Sequence, residues 1–473
     1  MLKNARNSPS PLQNLAITVK KTLTKMKPKK TDHSQGKLFQ SRISSLINPT
    51  HPLKILADKL EWTFFEKEFG KHYKQGGGQP PRPIRLMVGL LMLQHMFKKS
   101  DEKVVEKWVE NPYWQYFCGY DYLEWQAPIN PSSLTRFRQR LGENGMKKIL
   151  QFTIQEGLKQ GAIKPRELRK VTVDTTAMEK NITYPTDTKN LNKVRKQLVK
   201  IAKKYKIILR QNYEKLGKIA AWKAARYAHA KQFKRMRSSV KNLKNYLGRV
   251  VRDIERRIET KKELQEIFQS HLEIAKKLIQ QTKKSKNKIY SPHAQEVYCI
   301  AKGKARKPYE FGCKVSLVTT QKKGFVLDAT TFKENKHDSK TLHESLQNAE
   351  KNSGHQIKEI LADKGYRGHG IKDKTILIPG QKRKLSRYKK NQLKQRSAIE
   401  ARISHMKNQG KLDRNFLKGV QGDAINALLC AMGQNMRCLM VHNYLIIAFF
   451  RRFFALILCK KQLFSQNRKI NFV

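Results

Sequence analysis

The sequence predicts an α/β protein: a mixed sheet flanked by helices, with an all-helical N-terminal domain and a long α-helical hairpin insertion. Three patterns carry that reading. Residues 295–380 switch to period-two, β-rich segments punctuated by turn signals, as strands with one buried face require. Residues 55–160 place apolar side chains at helical spacing between breakers. Residues 189–289 carry an apolar heptad seam through a highly charged stretch.

In chain order, residues 1–45 read as a basic flexible arm. Lys20-Lys-Thr-Leu-Thr-Lys-Met-Lys-Pro-Lys-Lys30 has too few apolar residues to pack, so it is either a solvated tail or a non-specific phosphate contact. Residues 46–160 form the helical domain. Gly76-Gly-Gly-Gln-Pro-Pro-Arg-Pro83 is a breaker cluster; with no strand before it and no Gly-Lys-Ser/Thr after it, it is a poor phosphate cradle. Ile84 to Phe97 is apolar enough to be central to the core, and Val104, Val105, Trp108 and Val109 fit the inner face of a second helix. Pro131-Ser-Ser opens a helix through Leu141 that Gly142 stops, with Leu134, Phe137 and Leu141 on its buried face. Arg136, Arg138 and Arg140 then fall on the other faces, as a solvated basic surface or as a reader of the DNA major groove.

The sheet domain is expected at 161–188 and 290–440, with the insertion at 189–289 between its parts. Leu191, Val194, Leu198, Ile201, Tyr205 and Ile208 step by threes and fours, and a second series runs through Leu247, Val251, Ile254 and Ile258. Two long helices folding back on each other, with room for a third short one, satisfy both series. Strands are expected at 171–176, 314–320, 325–331, 358–362 and 375–378, with Gln321-Lys-Lys-Gly324 turning a hairpin. Helices are expected from Asp338-Ser339, read as its cap, and from Asn391 to about Lys407. In the tail, 441–473, two apolar runs are split by Arg451 and Arg452. Each Arg costs roughly 2.5–3.5 kcal/mol at a bilayer centre, so a docking helix is expected rather than a membrane span.

Composition narrows the partner. The 473 residues hold 99 Lys+Arg against 37 Asp+Glu, a formal net charge of +62. Such an excess predicts a polyanion, with nucleic acid ahead of an anionic membrane surface. The six cysteines show neither a C-x-x-C pair nor zinc spacing, as in a chain of reduced thiols. No secretory signal opens the chain.

Against this basic background, three acidic residues stand in matched contexts: Asp174 in Val171-Thr-Val-Asp-Thr-Thr, Asp363 in Ile360-Leu-Ala-Asp-Lys-Gly-Tyr366, and Glu400 in Arg396-Ser-Ala-Ile-Glu-Ala-Arg402. Singly, each has an ordinary reading as a turn residue or an exposed helix charge. Together they suit phosphodiester chemistry. Two divalent ions roughly 3.5–4 Å apart can activate the nucleophile and neutralise the phosphate, and Mg²⁺ takes carboxylate oxygens. Glu179, Glu296, Glu310 and Asp338 are weaker candidates for metal-holding or supporting roles.

These blocks resemble the DDE transposases of bacterial insertion sequences, most closely the insertion-sequence-five group within the insertion-sequence-four-like class. The likeness rests on the block from Val173 to Asp187, on the Asp-x-Gly-Tyr form of Asp363, Gly365 and Tyr366, and on the Arg-x3-Glu-x6-Lys signature met by Arg396, Glu400 and Lys407. It extends over roughly residues 45–440, through Cys299 to Ala305 and Tyr309-Glu-Phe-Gly312. The signature's usual leading Tyr is Leu393 here, with Tyr388 a nearby substitute. The resemblance implies an RNase H-like fold, the first Asp on the first strand, the second just after the fourth, and the Glu on a late helix. It further implies Asp174, Asp363 and Glu400 as catalytic metal ligands for Mg²⁺, with Mn²⁺ substituting. Arg396 and Lys407 would contact DNA phosphate, one and two turns from Glu400, and Gly365 and Tyr366 would support the site. The partners implied are the element's terminal inverted repeats and target DNA, held by a homodimer in the bacterial cytoplasm at the nucleoid, without a membrane. Water would cut at the element ends and the freed 3′-hydroxyl would attack target DNA. A catalytically inactive DNA-binding relative and an RNase H-like nuclease are the rival readings.

Overall fold

The computed structural model describes residues 40–73, 81–282, 284–301, 307–380 and 385–470, the backbone alone for 450–470. Most of the basic arm, residues 74–80, which include the start of the glycine cluster, and 302–306 of the mid-region lie outside the described residues. Helices of nine residues or more are labelled below.

The helical domain is built around α1 (Ile84–Met96), in which every residue except Arg85 is buried. A helix apolar on all sides can only sit in the middle of a core. Helix α2 (Asp101–Glu110) is capped by Ser100, whose side chain accepts from the Lys103 amide, and it buries Val104, Val105 and Trp108. Helix α3 (Ser132–Lys159) is two helical segments that meet at Gly142, where the sequence predicted a stop. That glycine takes φ 61°, which breaks the helical path, and the helix then resumes to Lys159. Ile149, Leu150, Phe152 and Ile154, all buried, hold the second half down.

The sheet has seven strands among the described residues: β1 (Lys170–Lys180), β2 (Tyr298–Ala301), β3 (Tyr309–Thr320), β4 (Val326–Phe332), β5 (Glu359–Leu361), β6 (Thr375–Leu377) and β7 (Arg414–Asn415). The order is β2-β3-β1-β5-β6, with β4 on β3 and β7 on β1. Strand β3 is antiparallel to β1 and to β4, the latter through the expected hairpin, whereas β5 and β7 run parallel to β1. The mixed sheet with flanking helices is the predicted fold class, of RNase H-like kind. Because the short β2 was not expected, Asp363 follows the fifth strand in chain order rather than the fourth.

The insertion differs from a two-helix hairpin. It contains four helices: α4 (Asp187–Lys204), α5 (Glu214–His229), α6 (Phe233–Ile258) and α7 (Lys262–Gln280). They share a hydrophobic core of their own, including Leu191, Val194, Leu198, Leu247, Ile254 and Phe268. The first seam is shorter than its spacing suggested. Helix α4 stops at Lys204, so Tyr205 and Ile208 fall outside it and Ile208 is 79% exposed.

Three further helices complete the sheet domain: α8 (Asp338–Ser353), α9 (Arg387–Gln395) and α10 (Ala398–Asn408). The last helix, α11 (Gly419–Ile470), crosses position 440 without a break, so the boundary expected there is not a change in backbone. Its apolar residues from Ile425 to Leu439 are packed in the core that the helical domain and the sheet share. Beyond it, His442 and Asn443 meet Gln160, and Tyr444 and Leu445 are exposed. Among the described residues no helix is long and apolar enough to cross a membrane.

Candidate functional site

Strand register builds the site. Strand β1 pairs in parallel with β5 at Lys170–Glu359, Val171–Ile360 and Thr172–Leu361. Two residues further along each segment stand Asp174 and Asp363. Strand β7 joins the same edge of β1 only at Glu179 and Lys180. Between the two partners, that edge of β1 is free of strands among the described residues, and Asp174 lies in the gap. A fork between diverging parallel strands is where α/β sheets place ligands.

The acids sense one another's charge. Burial pushes the Asp174 carboxyl up to about 6; Asp363 and Asp338 add to the rise, while the Thr175 amide and Arg396 oppose it. Asp338 is not the cap of α8, a role taken by His337. Its carboxylate instead accepts from the Thr175 hydroxyl at 2.8 Å and from Lys314 Nζ at 3.0 Å. A Cβ on Gly365 would stand 2.9 Å from Asp338 Oδ2, so the Asp-Lys-Gly-Tyr turn packs directly against it. Tyr366 is fully buried, and burial raises its phenol well above the ordinary range, with the charges of Asp174 and Asp338 adding to that.

Glu400 approaches from α10. Ile399 and Met406 anchor that helix on its buried side. Arg402 pins it to the β3–β4 turn by donating to the carbonyls of Thr320 at 2.8 Å and Gln321 at 2.5 Å. Arg396, at the break between α9 and α10, ion-pairs with Asp363 at 3.8 Å and with Glu400 at 3.3 Å. The structure thus brings Asp363 and Asp338 within reach of the Asp174 charge and links Glu400 to Asp363 through an arginine. Among the described residues no three His, Cys, Asp or Glu side chains are close enough to share a metal ion.

The other expected residues are dispersed. Lys407 lies two turns from Glu400 on α10, and its carbonyl accepts from Lys98 Nζ at 2.8 Å. Arg136 is exposed beside Ser132, and Arg140 stacks over Tyr73 at 4.8 Å. Arg138 does not lie on an open face. It is 4% exposed and held by Asp101, Gln94 and Thr135. The helical period permits this, because position 138 follows Leu134 by four and so can join the buried stripe once it finds a partner. Glu179 pairs with Lys307, and Glu296 with Lys180 at 2.9 Å, both at the far end of β1. Glu310 is buried on β3. A cavity of about 1040 Å³ between the helical domain and the sheet is lined by Arg138 and Glu179, and none of the three carboxylates reaches it.

Comparison with known proteins fits these parts to one activity. Residues 41–140 match the family described as Transposase domain (DUF772), and residues 268–436, which include Asp363 and Glu400, match Transposase DDE domain. The chain belongs to the DDE transposase family. A relative in Rhizobium meliloti, "Uncharacterized protein ORF8 in nfe locus", is 43% identical to the transposase over 208 residues, 44% of this chain and 100% of the relative. No solved structure matches. The family typically uses a divalent metal, and the donor chemistry of the transposase suits one. Asp174 and Asp363 offer hard carboxylate oxygens, and burial, with Asp363 and Asp338 adding to it, makes the Asp174 carboxylate costly to hold charged without a cation beside it.

Proposed function

We propose that this transposase, of the insertion-sequence-five group, cuts phosphodiesters at the terminal repeats of its own element and joins the freed 3′ ends to target DNA. Asp174, Asp363 and Glu400 are the catalytic carboxylates of this reading. The observation that carries it is the parallel register of β1 and β5, which leads two residues further on to Asp174 and Asp363 at the open edge of β1, with Glu400 one arginine away.

When bound, Mg²⁺ (or Mn²⁺ in its place) would neutralise the phosphate and make the attacking hydroxyl more acidic. Asp174 and Asp363 would hold it, with Glu400 completing the set. The chain's own groups do the remaining work. Arg396 neutralises Asp363 and Glu400 until a substrate phosphate competes for its guanidinium, whose planar fork suits phosphate as well as carboxylate. Lys407 adds a cation two turns along the same helix. Lys314 and Thr175 fix the Asp338 carboxylate beside Asp174, so the acid cluster keeps its shape. Two element ends have to be held at once, which calls for a homodimer acting on chromosomal DNA.

The test uses purified protein and a duplex carrying an element end. Asp174→Ala and Glu400→Ala are expected to abolish nicking and strand transfer, a loss of at least about 10³-fold, while duplex binding persists. Cleavage by either variant in Mg²⁺ would remove the replaced residue from the catalytic set and overturn the three-carboxylate assignment. Nicking by the wild type without any joined product would point to a nuclease instead.

A further inference from the structure

Between Glu214 and Asp253 lie 38 residues that hold twelve Lys or Arg and no Asp or Glu. They form α5, most of α6 and the connection between them. Among the described residues none of these twelve cations meets a carboxylate within 4 Å, although the acids elsewhere are widely paired. Self-repulsion on such a hairpin has no internal relief, so its charge is available to an outside anion.

The same surface exposes side chains that a merely solubilising face would not. Trp222 is 57% exposed with the Arg226 guanidinium 4.6 Å from its ring centroid, and Phe233 at the start of α6 is 53% exposed. Ile219 and Leu216 continue the exposed line along α5 at steps of three. Lys231, Lys234, Arg235 and Arg237 crowd the connection and the first turns of α6, all exposed. The hairpin's inner face is already satisfied: Leu243, Leu247, Val250 and Val251 are buried in the insertion's core. The apolar and basic outer residues are therefore surplus to its folding.

We propose that the α5–α6 hairpin grips duplex DNA, with its cations on the phosphates and Trp222, paired with Arg226, against the groove wall. This extends the DNA-processing reading, on which it rests, to a surface that the carboxylate site does not include. Charge complementarity selects the partner, since a rigid helix pair with unpaired cations and exposed aromatic side chains matches a polyanion that offers apolar sugar and base edges. No sequence-reading side chain is needed for such a grip, so end DNA and unrelated DNA should be held alike.

Fluorescence anisotropy of the full-length protein with two labelled 30-bp duplexes, one from an element end and one unrelated, tests this across a salt series. Lys231→Gln, Lys234→Gln, Arg235→Gln and Arg237→Gln combined are expected to weaken binding to both duplexes at least about tenfold at physiological salt. The slope of log K against log salt should shrink by about 0.9 for each phosphate that the variant no longer neutralises. Trp222→Ala is expected to weaken both duplexes about threefold or more with unchanged circular dichroism. A charge-matched control neutralises Lys164, Lys322, Lys351 and Lys372, which are exposed outside the hairpin, and is expected to change affinity less than about twofold. Equal losses in control and hairpin variants would mean that only net charge matters, and would overturn the proposal. So would wild-type affinity and slope in the hairpin variant, or a loss confined to single-stranded DNA. A wild-type protein that binds neither duplex would instead defeat the DNA-processing reading itself.

Discussion

Arg396 joins the two halves of the candidate site. Its guanidinium touches Asp363 and Glu400 at once, and its charge also opposes the rise of Asp174. One positive charge therefore balances three acids that would otherwise repel one another. A second buried acid, Asp328 on β4, lies away from this group and gives a cleaner pH test. Burial pushes its carboxyl up to about 7, with Thr330 and Asn352 as hydrogen-bond partners. The folded state then holds a proton that the unfolded chain releases near pH 4. Its stabilising effect is complete below that pH and is lost as pH rises towards 7. Asp328→Asn should accordingly raise the thermal midpoint at pH 8, by roughly 2–4 °C per kcal/mol recovered, and change little at pH 4. A midpoint for Asp328→Asn at pH 8 equal to or below the wild type would count against a protonated Asp328. Arg138 carries a lesson at the same scale. Its charge was legible, but its partner Asp101 lies 37 positions away, and that contact decided its burial.

At the scale of the element, the site depends on how β1 is held. Strand β3 covers one edge over nine residue pairs. Gly312 permits the closest approach: a Cβ there would stand 1.9 Å from the Met178 carbonyl oxygen. Gly312→Ala must push β3 away from β1, an overpacking cost of about 1–3 kcal/mol. The expected readout is a lower thermal midpoint, with the DNA-cleavage rate falling because Asp174 lies on the displaced strand. An unchanged midpoint would show that the strand edge yields freely. Strands and helices of the sheet domain were readable because period two and period 3.6 are properties of neighbouring residues. The four-helix form of the insertion was less so. Its α5 has only Gly217, Ala220 and Ala224 buried, residues too small to register as a seam. Likewise Asp338 reads as a helix cap in sequence, because capping residues and buried acceptors share the same side chains.

The whole molecule has two hydrophobic cores. One joins the helical domain, the sheet and the buried part of α11; the other belongs to the insertion. Separate cores predict separable unfolding. Leu247, fully buried in the insertion, is the place to test this. Leu247→Ala should cost about 2–5 kcal/mol and lower one of two calorimetric transitions while leaving the other in place. A single transition shifting as a unit would show that the insertion is coupled to the sheet domain. Coupling is carried locally by Asn190, which donates to the Tyr290 carbonyl at 3.0 Å, and by Lys193 beside His293. At the far end of β1, Lys180 lies between Asp423 at 2.8 Å and Glu296 at 2.9 Å. This buried group fastens β1 to the start of α11.

The sequence by itself determined the fold class, the helical core of the N-terminal domain, the hairpin of β3 and β4, and the three acidic blocks. Each of these is written in local period, turn chemistry or a short motif. Only the tertiary structure decided which charges face one another. It set Asp174 beside Asp363 through a parallel register across almost two hundred residues, and it added Asp338 to them. It also put Arg396 between Asp363 and Glu400, and it buried Arg138. Electrostatic energy depends on distance and on the surrounding dielectric, and neither is fixed until strands far apart in the chain have paired.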